Sequence, residues 1–162
     1  MEDQGLIYLY NLNSFLKSID NNLYTLKLDK FPFTGNIGAH CRHIIEFYTQ
    51  FLNFYKTKTL DYDGRQRDLL IESDIDTAKS KILTVIEVLE NQDFNSNTVL
   101  SLLNNGQLSS TTIGRELNYL AEHNVHHMAI IRILAETIPF DFSEIAQFGI
   151  AVSTKGHRIS ES

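Results

Sequence analysis

Apolar residues recur at spacings of three and four in four separate stretches of this chain, a periodicity that confines the fold to amphipathic helices packed on one another. The first stretch, about residues 4 to 25, carries Leu6, Leu9, Leu12, Phe15, Leu16 and Ile19 on one stripe. The second starts near Ile37, where Thr34 or Asn36 can cap it, and runs to about Tyr55 through Cys41, Ile44, Ile45, Tyr48, Phe51 and Leu52. The third, about 74 to 91, aligns Ile75, Ala78, Ile82, Val85, Ile86 and Leu89. The fourth, about Ile113 to Thr137, aligns Leu117, Leu120, Ala121, Met128, Ile131 and Leu134. The two prolines, Pro32 and Pro139, fall between stretches, where a residue without a backbone N–H ends helices instead of breaking them.

The connections divide by chemistry. LDYDGRQRDLLIESD, between the second and third helices, reads as a long charged loop. VLSLLNNGQLSSTT, before the fourth, reads as a small β-hairpin, because Asn-Asn-Gly between apolar and β-branched residues suits a tight turn. The tail after Pro139 shows no sustained period and reads as an extended packed segment. The expectation is an all-α fold, a four-helix bundle with one long crossover, in which residues 1–158 form a single domain and 159–162 a frayed end.

Composition narrows the function classes. A formal net charge of −6, from 14 Lys and Arg against 20 Asp and Glu, with the basic residues scattered, argues against a general nucleic-acid binder. The longest apolar runs, such as MAIIRILA, are broken by charge well short of a membrane span. The acidic first residues lack the basic start of a secretion signal. A single cysteine, Cys41, excludes an intrachain disulfide and fits a reducing cytoplasm. Cys41 itself reads as a small core residue.

Histidine placement carries the functional argument. Five of the six histidines lie in two windows, GAHCRHIIE on the second helix and AEHNVHHMA on the fourth. Residues three or four apart lie one turn above each other, so His123 and His127 share a face, as do His40 and His43. Glu116, Leu120, His123, His127 and Ile131 form one line that should face the interior, whereas His126 is turned about 100° away. Two imidazoles from one helix and a third from a facing helix meet the three-ligand requirement of a catalytic metal site and leave a position open. The blander reading is a set of surface or hydrogen-bonded histidines without an ion. HExxH is absent, since Asn124 follows His123, and the Gly-rich segments GNIGAH and NNGQ lack the spacing of a phosphate loop.

NIGAHCRHIIEFYTQFL, DYDGRQRD, GRELNYLAEHNVHHMAIIRIL and FGIAVSTKGHR together resemble the DinB-like superfamily, which includes YfiT-like metal-dependent hydrolases. The resemblance covers most of the chain from Asn36 to Arg158. It implies a four-helix bundle, often dimeric, with three histidines holding a divalent ion, nickel or zinc. The family's helix-two histidine lies seven residues after the position matched by Asn36, which makes it His43, and the HxxxH pair aligns with His123 and His127. His40 departs from the minimal pattern and can replace His43 or support it. The resemblance further implies a small-molecule substrate, a low-molecular-weight thiol as nucleophile or cofactor in some relatives, and a homodimer; it gives no reason to assign DNA binding.

Around that ligand set, Glu116, two turns before His123, and Glu46, one turn after His43, are the acids placed to orient a ligand or accept a proton. Salt bridges to Arg115, Arg42 or Lys56 would give these acids a structural role instead. Arg65 and Arg67 on the charged loop can edge the site and hold an acidic substrate or cofactor, as can His157 and Arg158 in the tail. Two functions follow: a metal-dependent hydrolase or thiol transferase, or a catalytically silent metal-binding or dimerising bundle with a stress-related role. Because imidazoles must be neutral to coordinate, the ion should dissociate as pH falls below about 6.

Overall fold

The structure is a computed structural model that describes residues 4–30, 34–138, 140–143 and 146–151. Pro32, Pro139, His157, Arg158 and the side chains of Tyr55 and Lys56 lie outside the described residues. The chain is mostly helical. Its long helices are α1 (Gln4–Lys17), α3 (Ile37–Leu52), α6 (Ile75–Asn91) and α7 (Ile113–Glu136), with short α2 (Asn21–Thr25), α4 (Phe54–Thr57) and α5 (Leu69–Ser73) between them. α1 and α3 each pack against both α6 and α7. The expected stripes supply the core: Leu9, Leu12, Phe15 and Leu16 from α1, Ile44 and Phe51 from α3, Ile82 from α6, and Ile131 and Ala135 from α7 are all fully buried.

Local chemistry sets the helix ends. Asn36, not Thr34, caps α3, its side chain accepting from the Ala39 N–H, and Asp74 caps α6 by accepting from Thr77 N–H. The single helix expected over about residues 4 to 25 is two. Ser18 Oγ turns back to the Phe15 carbonyl, and Asp20 takes the Leu23 N–H as the cap of α2, so the chain leaves one helix and starts another within three residues. The charged loop is also more ordered than expected. It opens on strand β1 (Thr59–Leu60) and closes on α5, capped by Asp68, whose side chain accepts from Leu70 N–H.

β1 pairs in parallel with β2 (Val99–Asn104), which pairs antiparallel with β3 (Gln107–Thr112). The hairpin at Asn-Asn-Gly is present: Asn104 faces Gln107 across a two-residue turn, with Asn105 at φ 49° and Gly106 at φ 77°, the left-handed pair that matches strand twist. The described part of the tail packs on the core but turns at 146–149 instead of running extended. Its Phe148 is buried and stacks on Phe15, ring centroids 4.6 Å apart, while Arg132 Nη1 donates to the carbonyls of Ala146 and Phe148.

The loop packs most tightly on the helices at Gly38. A Cβ on Gly38 of α3 would sit 2.1 Å from the Glu72 carbonyl oxygen of α5, and Tyr24 Oη donates to the Ile71 carbonyl 2.5 Å away. Gly38→Ala therefore forces two backbones apart, with an expected cost of about 1–3 kcal/mol. Thermal unfolding reads this as a clear fall in Tm; an unchanged Tm would mean that α5 is free to shift.

Candidate metal centre

α3 and α7 pack side by side and bring the two histidine windows together. The ring centroids of His43 and His127 are 4.5 Å apart, those of His43 and His123 4.9 Å, and those of His123 and His127 4.7 Å. One ring nitrogen from each of the three lies within 4.8 Å of the other two. A tetrahedral ion with bonds of about 2.0–2.1 Å needs its nitrogens roughly 3.3 Å apart, a contraction within reach of small ring rotations. Two features of the side chains fit an ion. His123 Nε2 is buried and has no hydrogen-bond partner among the described residues, which is costly unless something takes its lone pair or proton. All three rings are held neutral: burial, helped by neighbouring charges, lowers the pKa of His43 and His127 to about 3 and that of His123 to about 4.

The geometry separates the two histidines of the second helix. His43 is in the cluster. His40, one turn earlier and buried, has Nδ1 2.9 Å from His127 Nδ1 and Nε2 2.7 Å from the Thr34 carbonyl. Burial also keeps His40 on the neutral side, its pKa lowered. A carbonyl only accepts, so His40 Nε2 carries the proton and its Nδ1 is a lone pair. His127 Nδ1 must then donate, which leaves His127 Nε2 as its lone-pair nitrogen. His40 thus sets the tautomer of His127, a candidate ligand. His40→Ala should weaken zinc affinity by about 10–100-fold without removing the site, as measured by competition with a chromophoric chelator. Complete loss of zinc would instead place His40 in the ligand set.

Aromatic rings wall the centre. Phe47 stacks on His123 at 4.3 Å and on Tyr62 at 4.9 Å, and Tyr119 stacks on His123 at 5.6 Å. A cleft of about 190 Å³ opens beside Phe47, Tyr62 and Tyr119. His126 is exposed, as its angle on the helix requires.

Both acids expected near the site are present and occupied. Glu116 is fully buried and accepts from Tyr62 Oη (2.8 Å), Thr111 Oγ1 (2.6 Å) and Arg115 Nη1 (2.7 Å). Glu46 accepts from Arg42 Nη1 at 3.0 and 2.8 Å and from Asp68 N–H at 2.9 Å, and faces Arg65 Nε at 3.4 Å. Arg65 reaches the cluster, its Nη2 3.3 Å from His43 Nδ1. Arg67 is exposed and lines neither the cleft beside Phe47 nor the separate one beside Glu46, Gln50 and Asp61 that Arg65 edges. Cys41 is fully buried beside Tyr24, and burial pushes its thiol far above the range in which it ionises.

Spacing did not point to Thr34 as a hydrogen-bond partner of a histidine, nor to Tyr62 as a link between Glu116 and the Phe47 wall. The first acts through a backbone carbonyl, which has no sequence signature. The second lies in a segment that reads as a solvated loop.

No family model and no solved structure matches the chain. A curated protein, FK506-binding protein 5 of Rhizopus delemar, is 32% identical over 106 residues, covering 60% of this chain and 27% of that protein. The chain therefore spans 27% of the length of the curated relative it matches.

Proposed function

We propose that this chain is a metal-dependent enzyme of the DinB-like, YfiT-like kind, a hydrolase or low-molecular-weight-thiol transferase acting on a small molecule. The observation that carries the reading is the convergence of His43, His123 and His127, with ligand-capable nitrogens within 4.8 Å of one another. Its frame is a four-helix bundle of α1, α3, α6 and α7, with residues 53–74 as the long crossover. A nickel or zinc ion held there supplies an open position that acidifies water or a thiol at neutral pH. The same reading includes a homodimer in a reducing cytoplasm.

The residues around the ligands have separable tasks. His40, backed by the Thr34 carbonyl, holds the proton on His127 Nδ1 so that Nε2 stays available. Phe47 and Tyr119 cover the His123 ring and exclude water from that side. Glu116 fixes Tyr62, which stacks on Phe47, and Glu46 holds Arg65 beside His43. These roles make both acids positioning residues.

The second reading, a bundle that holds metal without turnover, is favoured by those same acids, since every oxygen of Glu46 and Glu116 already faces a donor or a cation. Turnover separates the two. Zinc- or nickel-loaded protein is offered an aryl halide with bacillithiol, glutathione or water alone. Metal-dependent consumption of the halide supports the enzyme; bound metal without consumption supports the silent bundle.

A further inference from the structure

We infer that Arg65 anchors an anionic oxygen group of the substrate, a carboxylate or phosphoryl, and that metal binding at His43 frees it to do so. The inference deepens the function proposed above and rests on its three-histidine centre.

Arg65 Nη2 lies 3.3 Å from His43 Nδ1, and a guanidinium can only donate, so in this state Nδ1 is the lone-pair nitrogen of a neutral ring and Nε2 carries the proton. A neutral imidazole has one lone pair in its plane. If the ion takes it at Nδ1, the acceptor is consumed. If the ion binds Nε2, the proton moves to Nδ1, which then confronts a donor with a donor. By either route, an ion on His43 ends the bond to Arg65.

Arg65 nevertheless stays where it is. Its Nη1 donates to the Tyr62 carbonyl at 2.8 Å, and its guanidinium carbon lies 4.7 Å from the centroid of the Phe47 ring. Glu46 is poorly placed to absorb the released N–H. Its oxygens already serve Arg42 and the Asp68 amide, and Arg65 Nε, 3.4 Å from Glu46 Oε2, is not aligned for a hydrogen bond. Charge points the same way. The guanidiniums of Arg42 and Arg65 are balanced by the carboxylates of Glu46 and Glu72, and the rings are neutral, so a divalent ion adds an unmatched double positive charge. The Arg65 side chain is only 13% exposed, where water screens such an excess weakly. An oxyanion that meets both the ion and the planar fork of Arg65 satisfies the freed donor and the charge together.

The probe is benzoate, with benzamide as its neutral counterpart, titrated by calorimetry into zinc-loaded and metal-free protein. Hydrogen bonds to a charged group are worth enough to give about tenfold or more in affinity. Benzoate should bind the zinc-loaded protein at least about tenfold more tightly than benzamide does, and more tightly than it binds the metal-free protein. Arg65→Gln should lose about tenfold for benzoate while leaving benzamide unchanged. The same variant should bind zinc more tightly than the wild type, because no hydrogen bond must break and a repelling cation is gone; a merely damaged fold would move zinc affinity the other way. Arg65→Lys, which keeps the charge without the fork, should fall between. Equal benzoate affinity in wild type and Arg65→Gln, weaker zinc binding by Arg65→Gln, or full benzoate affinity in Arg65→Lys would each overturn the inference while leaving the centre intact. Failure of the wild type to bind zinc would overturn the centre itself.

Discussion

His123→Ala should weaken zinc binding a hundredfold or more, and His123→Phe should do the same while leaving the metal-free fold at least as stable as the wild type. The binding loss follows from ligand number. A four-ligand zinc site is worth roughly 10–16 kcal/mol, so one imidazole contributes about 3 kcal/mol, a hundredfold or more in affinity. The stability result has a separate cause. In the metal-free protein His123 Nε2 is buried without a partner among the described residues, and its ring packs against both Phe47 and Tyr119. Phenylalanine keeps the stack and removes the unpaired nitrogen. Alanine removes the stack as well and should lower the metal-free Tm. Chelator competition and thermal melts read the two effects independently. Retained zinc affinity in His123→Phe would remove His123 from the ligand set.

Acid affects folding and metal binding differently, and the sign follows from the direction of the pKa shifts. Burial lowers His43 and His127 to about 3 and His123 to about 4, against roughly 6.5 in an unfolded chain. Between those values the unfolded chain binds protons that the folded chain refuses, so unfolding becomes easier as pH falls from about 6.5 toward 4, with no contribution above pH 7. The metal-free Tm should fall steadily across that window. Zinc affinity of the still-folded protein should barely change from pH 6.5 to 5, because the ligands remain deprotonated. Three ordinary imidazoles would lose roughly a thousandfold over the same interval. A steep loss of zinc affinity starting near pH 6 would show that the rings are solvated in the way their residue type alone suggests.

The contrast between those pH windows marks what could be read before the fold. Helical period alone aligned His123 with His127 and turned His126 outward, because angle on a helix depends only on spacing. Asn36, one of the two cap candidates, and the Asn105-Gly106 turn follow from chemistry within four residues. The break at Ser18–Asp20 went unread because the apolar stripe continues through Ile19 while a side-chain bond ends the helix. β1 exists only because β2, about forty residues later, offers it a partner. The division of labour between His40 and His43, left open by spacing, depends on a carbonyl at Thr34 and a ring on another helix. The engagement of Arg65 with His43 joins a loop to a helix and has no local signature.

The proposed function requires that three imidazoles share one ion. X-ray absorption on zinc-loaded protein, with the zinc content counted per chain, measures that directly. One zinc per chain, with three imidazole nitrogens at about 2.0–2.1 Å and an oxygen ligand completing the shell, is the predicted result. Zinc at noise level after loading, or a shell with fewer than three imidazoles, would contradict it.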